Sequence, residues 1–120
     1  MFTIRKEQIE VFRAPALKAY EDRMIAHLCR CFPTKCQAQS EADLREMIRH
    51  GVRTAAKYGF TTERHVCKYI DLMMVYGQEF ADDPELPWAR AILHDKTQAA
   101  PGIIMDRLYN EAKRNYRNPA

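Results

Sequence analysis

Glycine is scarce in this sequence, with four residues in 120, and no segment approaches 18 consecutive apolar residues. The absence of a long apolar run predicts that no helix spans a membrane. The shortage of glycine leaves little material for a phosphate-binding loop, and neither a Walker loop nor a G-x-S-x-G or H-E-x-x-H motif occurs. Because no catalytic signature is present, we predict that the protein is not an enzyme and has no cofactor.

A strong charge of one sign is also lacking. The chain has 19 Lys and Arg against 16 Asp and Glu, a net charge of +3, and nucleic-acid-binding domains usually concentrate positive charge more strongly. The first residues lack the long apolar core of a signal peptide. We therefore expect a cytoplasmic protein that binds neither nucleic acid nor a membrane. Its partner is expected to be another protein, and its oligomeric state is left open.

Cysteine and histidine are common in metal sites and catalytic sites, and each occurs four times in the chain. Cys29 and Cys31 lie two apart, so on a helix they point in different directions and do not share one ion. The other cysteines and the histidines have no recognised zinc spacing, and we predict no metal site. A nucleophilic pair of Cys67 with His27 or His50 stays open as a weaker hypothesis. Without a secretion signal, we expect all four thiols to be reduced.

Apolar residues recur at spacings of three and four along most of the chain, which predicts helices rather than strands. The predicted segments are a short helix over 4–12, a helix from Pro15 to Phe32, one from Ser40 to Tyr58, one of about five turns from Thr61 or Thr62 to Phe80, a short helix or turn over 88–93, and a last helix through 104–116. With 47% hydrophobic residues, the 120 residues suffice for one core. We predict an all-α fold, a single helical domain over 1–120 that forms an irregular antiparallel bundle of five to six helices.

Several residues indicate where these helices begin and end. Pro33 stops the helix before it, because the residue preceding a proline avoids helical backbone angles. Ser40 is a predicted N-cap, and Gly59 is a predicted C′ glycine. The segment from Thr62 to Phe80 is the most apolar one, and we expect it to lie at the centre of the fold.

Four basic residues recur every four positions and therefore lie along one edge of the third predicted helix. Such a row is usually a solvated face. Alternatively, it docks an acidic protein surface or an acidic segment of the same chain. Trp88 either clamps its short helix to the bundle or anchors an interface. The candidate partner-binding residues are Arg45, Arg49, Arg53, Lys57 and Trp88.

Two segments resemble a known group of proteins. One is Met1-Phe2-Thr3-Ile4-Arg5-Lys6-Glu7-Gln8, and the other extends from Arg49-His50-Gly51-Val52 through Ala56-Lys57-Tyr58-Gly59 to Arg64–Met73. Together with Phe80, Pro84, Pro87-Trp88 and Arg107-Leu108-Tyr109, they are similar to small uncharacterised proteins of proteobacteria. Those proteins are encoded beside spike (VgrG or PAAR) and toxic-effector genes of type VI secretion clusters.

The resemblance implies an accessory role, in which the protein acts as a co-adaptor or chaperone for a secreted effector or for the effector's loading adaptor. An immunity protein that neutralises a cognate toxin is the main alternative in the same genomic setting. A small enzyme that uses a cysteine or a histidine and a nucleic-acid-binding regulator are further alternatives. The resemblance assigns no functional residue.

Overall fold

The computed structural model describes residues 14–95 and 99–116. Within these ranges it has six α-helices, one 3₁₀ helix and no strand, which confirms the predicted all-α helical bundle. The predicted helix over 4–12 lies outside the described residues. The elements are α1 (Ala14–Cys31), α2 (Pro33–Gln37), α3 (Glu41–Lys57), α4 (Glu63–Tyr76), the 3₁₀ helix (Phe80–Asp82), α5 (Pro87–Leu93) and α6 (Pro101–Tyr116).

The helix ends follow the predicted local chemistry in several places. Helix α1 ends at Cys31, ahead of Pro33, and Pro33 then opens the short α2, which sequence analysis did not predict. The Ser40 hydroxyl accepts a hydrogen bond from the Asp43 N–H at 3.1 Å, which confirms the predicted N-cap of α3. The Thr62 hydroxyl accepts from the His65 N–H in the same way at the start of α4.

Helix α3 ends in a Schellman motif. The N–H of Phe60 donates to the carbonyl of Ala55, and the N–H of Gly59 donates to the carbonyl of Ala56, both at 3.0 Å. Gly59 has φ of +91°, a left-handed conformation that favours glycine. The prediction that Gly59 ends this helix is therefore confirmed, and the buried Phe60 ties the turn to the core.

Helix α4 is shorter than predicted. It ends at Tyr76 because Gly77 adopts φ of +107°, and Phe80 belongs to the separate 3₁₀ helix. The predicted central position of α4 is confirmed, since it packs against α1, α3, α6 and the 3₁₀ helix. Its fully buried side chains include Val66, Tyr69 and Ile70. None of the described helices combines the length and the apolar character that a membrane crossing requires.

Candidate functional site

A buried carboxylate organises the basic row of α3. Glu21 of α1 is 2% exposed. Its carboxylate accepts from the Arg45 Nη1 at 3.0 Å and from the Arg49 Nε at 2.8 Å. Arg45 also donates to Asp22 at 2.6 Å and to Glu41 at 3.0 Å. These contacts tie the N-terminal half of the basic row to α1.

The pKa shifts in this network all favour the charged forms. Hydrogen bonds to Asp22, Glu21 and Glu41 raise the pKa of Arg45, and the hydrogen bond to Glu21 raises that of Arg49. The hydrogen bond from Arg45 lowers the pKa of Asp22. The ionised network therefore holds α1 and α3 in register at neutral pH.

The rest of the basic row stays open to solvent. The Arg53 side chain is 60% exposed and lies 3.7 Å from Glu46, and Lys57 is exposed. The row therefore divides into an inner half, held by acids of the same chain, and an outer half that faces solvent. The interpretation as a docking edge for a partner remains a prediction, and Arg53 and Lys57 are the two members available for it.

Glu21 is the functional residue of this network that sequence analysis missed. It lies four positions after Leu17 and three before Met24, on the apolar face of α1. An acid at such a position indicates a buried charge, which requires a cationic partner. The spacing of the four basic residues on α3 alone did not show which acid they meet.

A groove with aromatic walls lies between α4 and α6. One part of it is a cleft of about 370 Å³, lined mostly by apolar side chains that include Phe32, Tyr76, Tyr109 and Tyr116. A second cleft of about 480 Å³ contains Trp88 and shares Val75, Tyr76 and Tyr116 with the first. We call the two clefts together the aromatic groove, defined by Phe32, Tyr76, Trp88, Tyr109 and Tyr116.

Trp88 is half-buried, and its ring meets Tyr76 edge to face, with the ring centroids 5.3 Å apart. The Tyr76 hydroxyl donates to the carbonyl of Ala112 at 2.7 Å, which joins α4 to α6 below the groove. Trp88 thus holds α5 against the bundle and also lines the groove. It shares no cleft with Arg45 or Arg49, whose own cleft of about 400 Å³ includes Glu21 and Glu41.

A second polar cluster lies beside the groove. His27 of α1 bonds through Nε2 to the two carboxylate oxygens of Asp71, at 2.9 and 3.1 Å. Cys67 lies one turn before Asp71 on the same face of α4, and one ligand atom from each of the three residues lies within 4.8 Å of the others. Asp71 also lines the aromatic groove. The structure therefore brings Cys67 to within 4.8 Å of His27, and the hydrogen bonds of the His27 ring go to Asp71 and Cys31.

The alternative pair of Cys67 with His50 does not form in this arrangement. The His50 ring instead lies 3.1 Å from the Glu79 carboxylate and 3.5 Å from the Thr54 hydroxyl. Sequence analysis also missed Asp71. Its signal is a charged residue within the most apolar helix, four positions after a cysteine, a spacing that places both on one face.

The environment of the cluster keeps its thiol and phenol protonated at neutral pH. Burial and then the Asp71 carboxylate raise the pKa of Cys67 to about 11. Burial and Asp71 likewise raise the pKa of Tyr109 to about 12. Burial raises the pKa of Asp71, and His27 and Tyr109 oppose that shift.

Cys31 adds an exposed thiol on the far side of the His27 ring, with its Sγ 3.8 Å from Nδ1. The order Cys31, His27, Asp71 is that of a nucleophile, a base and an orienting carboxylate. Acyl transfer also needs donors aimed at the developing oxyanion. The two backbone groups that follow Cys31 offer none, because the Phe32 N–H donates to Leu28 and Pro33 has no N–H.

The expectation of four reduced thiols is wrong for Cys29 and Cys36, which form a disulfide. The turn at Phe32 and Pro33 folds α2 back along the end of α1, so the two Cα atoms lie 5.3 Å apart despite seven positions of separation. Sequence analysis did not predict α2 and therefore had no reason to bring them together. Cys31 and Cys67 remain free thiols.

Comparisons of the chain with protein-family models, with curated proteins and with solved structures found no match. Function is therefore inferred from the chain's own residues and contacts.

Proposed function

We propose that the protein is a non-enzymatic binding protein that holds an apolar segment of a partner protein in the aromatic groove. In the setting that the resemblance implies, the partner is a type VI secretion effector or its loading adaptor, and the protein serves it as a co-adaptor or chaperone. The observation that carries this proposal is the groove itself, a mostly apolar cleft between α4 and α6 that continues into a more polar cleft beside Trp88, with five aromatic side chains on its walls.

The composition of the groove favours a protein occupant. Tyrosine and tryptophan are enriched among the residues that dominate binding energies at protein interfaces. Tyr116 is 65% exposed, and it is one of two large apolar side chains that are exposed among the described residues. A partner that covers such a side chain removes its apolar surface from water, and this burial favours association.

The shape of the groove favours a helix or an extended segment over a compact molecule. Its two clefts share Val75, Tyr76 and Tyr116, so the groove continues past these residues from Phe32 to Trp88. An amphipathic helix that lays its apolar face into such a groove is a recurrent mode of recognition. Lys113 and Glu85 lie along the lining and provide polar contacts for the rim of that helix.

The test is the affinity of the purified protein for the effector and adaptor encoded beside its gene, measured by calorimetry. Tyr116→Ala removes an exposed groove side chain and is expected to weaken binding about tenfold or more, the effect of a hot-spot residue. Ile103→Ala is the matched control, because Ile103 is also on α6 and is 56% exposed, but it does not line the groove. We expect the Ile103 variant to bind within about twofold of the parent.

Two results would oppose the proposal. One is the absence of a stable complex with any of the neighbouring gene products. The other is an unchanged affinity in Tyr116→Ala, which would move the interface away from the groove. Loss of binding in Arg53→Ala or Lys57→Ala with normal binding in Tyr116→Ala would place the partner on the outer half of the basic row.

An immunity role predicts the same complex but a different consequence. Co-expression would then protect cells from the toxin by covering its active site, whereas a co-adaptor changes how much effector is secreted. The co-adaptor proposal includes a cytoplasmic location. The Cys29–Cys36 disulfide argues against that location, because disulfides are rare in the cytosol.

A further inference from the structure

The cluster beside the groove brings together three different metal-ligand types from two helices. His27 offers an imidazole nitrogen, Cys67 a sulfur and Asp71 a carboxylate oxygen, and all three donor atoms lie within 4.8 Å of one another. Zinc bonds of about 2.0–2.3 Å in tetrahedral geometry separate neighbouring ligand atoms by roughly 3.2–3.8 Å. The cluster therefore needs only small side-chain adjustments to surround one ion.

We propose that His27, Cys67 and Asp71 bind one divalent transition-metal ion, with zinc as the ion that best fits one nitrogen, one sulfur and one oxygen. The ion takes the place of the proton that Nε2 of His27 shares with the Asp71 carboxylate, where the two atoms are already 2.9 Å apart. Binding releases the proton of the Cys67 thiol to solvent, and the resulting thiolate and the Asp71 carboxylate balance the two positive charges of the ion. Three protein ligands leave a fourth position, which water or a group from a bound molecule fills.

Side chains around the cluster contact the three ligands and help to orient them, as is usual in metal sites. The remaining ring nitrogen of a metal-bound histidine usually donates a hydrogen bond that fixes the ring. Nδ1 of His27 faces the exposed Cys31 sulfur at a long 3.8 Å, so in Cys31→Ala a water molecule takes the place of the sulfur as the partner of that nitrogen. Tyr109 interacts with Asp71 closely enough to lower the pKa of that carboxyl group, and Lys68 lies over the Tyr109 ring at 5.3 Å from its centroid. All three ligands are partly buried, and Asp71 reaches the groove, which gives an ion access from solvent.

The cysteine chemistry of the chain makes a decisive test possible. All four cysteines lie in the described residues, and two of them are joined as Cys29–Cys36. In Cys31→Ala with that disulfide intact, Cys67 is the sole free thiol. Cobalt is the probe, because a thiolate-to-cobalt charge-transfer band in the near ultraviolet then reports Cys67 alone.

We expect Cys31→Ala to bind one cobalt ion per chain with this band, and zinc to displace the cobalt and remove the band. In the same background, Cys67→Ser is expected to abolish the band. His27→Gln or Asp71→Asn is expected to weaken binding about tenfold or more, since the loss of a side chain that only orients a ligand already costs about tenfold. His50→Gln is the matched control, a half-buried histidine that faces Glu79 instead, and it leaves the affinity unchanged. Circular dichroism shows that each variant remains folded.

A second measurement requires no change at the site. In the parent protein, zinc is expected to slow alkylation of Cys67 by iodoacetamide, with Cys31 as the reference thiol in the same sample. Absence of a charge-transfer band in the folded Cys31→Ala protein at millimolar cobalt would overturn the proposal. So would a band that persists in Cys67→Ser, or equal alkylation of Cys67 with and without zinc. None of these results depends on whether the groove binds a protein.

Discussion

At the scale of single residues, Glu21 determines the environment of two cations on a neighbouring helix. It is almost fully buried, and each of its carboxylate oxygens accepts from an arginine of α3. A buried charge is tolerated only when such partners compensate the loss of water. Asp22, the next residue, binds the same Arg45 but has a side chain that is 52% exposed. A comparison of Glu21 with Asp22 therefore distinguishes the contribution of burial to stability from that of ion pairing.

Glu21→Gln is expected to lower the free energy of unfolding by about 2 kcal/mol. This is less than the loss at a fully buried pair, because Arg49 is partly solvated and a glutamine oxygen still accepts one bond. Asp22→Asn should lower it by less than about 1 kcal/mol, as exposed ion pairs contribute little. Urea denaturation of both variants provides the measurement. Equal losses in the two variants would contradict the structural importance of Glu21.

Tyr69 and Tyr76 provide a second contrast between similar residues of α4. The Tyr69 hydroxyl is buried and has no hydrogen-bond partner among the described residues. The Tyr76 hydroxyl donates to Ala112 at 2.7 Å. We expect Tyr69→Phe to leave the free energy of unfolding unchanged or to raise it by about 1 kcal/mol, and Tyr76→Phe to lower it by about 1 kcal/mol. Thermal and urea unfolding distinguish these outcomes, and a large loss in Tyr69→Phe would reveal a missed partner.

At the scale of elements, the contact between α3 and α4 depends on a residue with no side chain. A Cβ atom at Gly51 would lie 2.6 Å from Cγ1 of Ile70 and 2.9 Å from Sδ of Met73. Both neighbours are buried, so neither can move freely. Gly51 therefore permits the close approach of two helices that each contribute several buried residues to the core.

Gly51→Ala tests this close approach. The steric overlap should outweigh the gain of about 1 kcal/mol in helix propensity and lower the free energy of unfolding by about 1–2 kcal/mol net. Gly102→Ala on α6 is the control, because its Cβ would lie 3.8 Å from the His65 ring, an ordinary contact. The Gly102 variant is expected to be as stable as the parent or slightly more stable. A Gly51→Ala variant more stable than the parent would show that α3 and α4 move apart at little cost in free energy.

At the scale of the whole molecule, α4 connects the core, the aromatic groove and the His27–Cys67–Asp71 cluster. One side of it packs on α3, another forms the floor of the aromatic groove with α6, and Cys67 and Asp71 project from it toward His27 of α1. The disulfide then fixes α2 beside the end of α1, next to Phe32 at one end of the groove. The oxidation state of Cys29 and Cys36 therefore affects the geometry of the groove. It also indicates which cellular compartment the protein occupies.

The number of free thiols in the protein from its native cells tests the disulfide. The structure predicts two, Cys31 and Cys67, when thiols are trapped in acid and then alkylated under denaturing conditions. Mass spectrometry of the peptides that contain Cys29 and Cys36 identifies the bonded pair. Four alkylated cysteines would contradict the disulfide and would agree with the reducing cytosol that sequence analysis predicts.

The sequence by itself determined the features that depend on neighbours within a few positions. Apolar spacing predicted the helices that became α1, α3, α5 and α6, and Ser40 and Gly59 predicted the ends of α3, because a capping bond or a left-handed turn involves residues two to five apart. Gly77 is a signal of the same kind for the end of α4. The predicted helix is too long because it continues past Gly77.

Only the tertiary structure decided which polar residues meet. His27 and Asp71 lie 44 positions apart, and Glu21 and Arg49 lie 28 apart, so their contacts depend on how α1 packs against α3 and α4. The aromatic groove has the same origin, because its walls come from three helices, the turn after α1 and the segment before α5. Periodicity shows which face of a helix is apolar, but which helix covers that face depends on packing between segments distant in the chain.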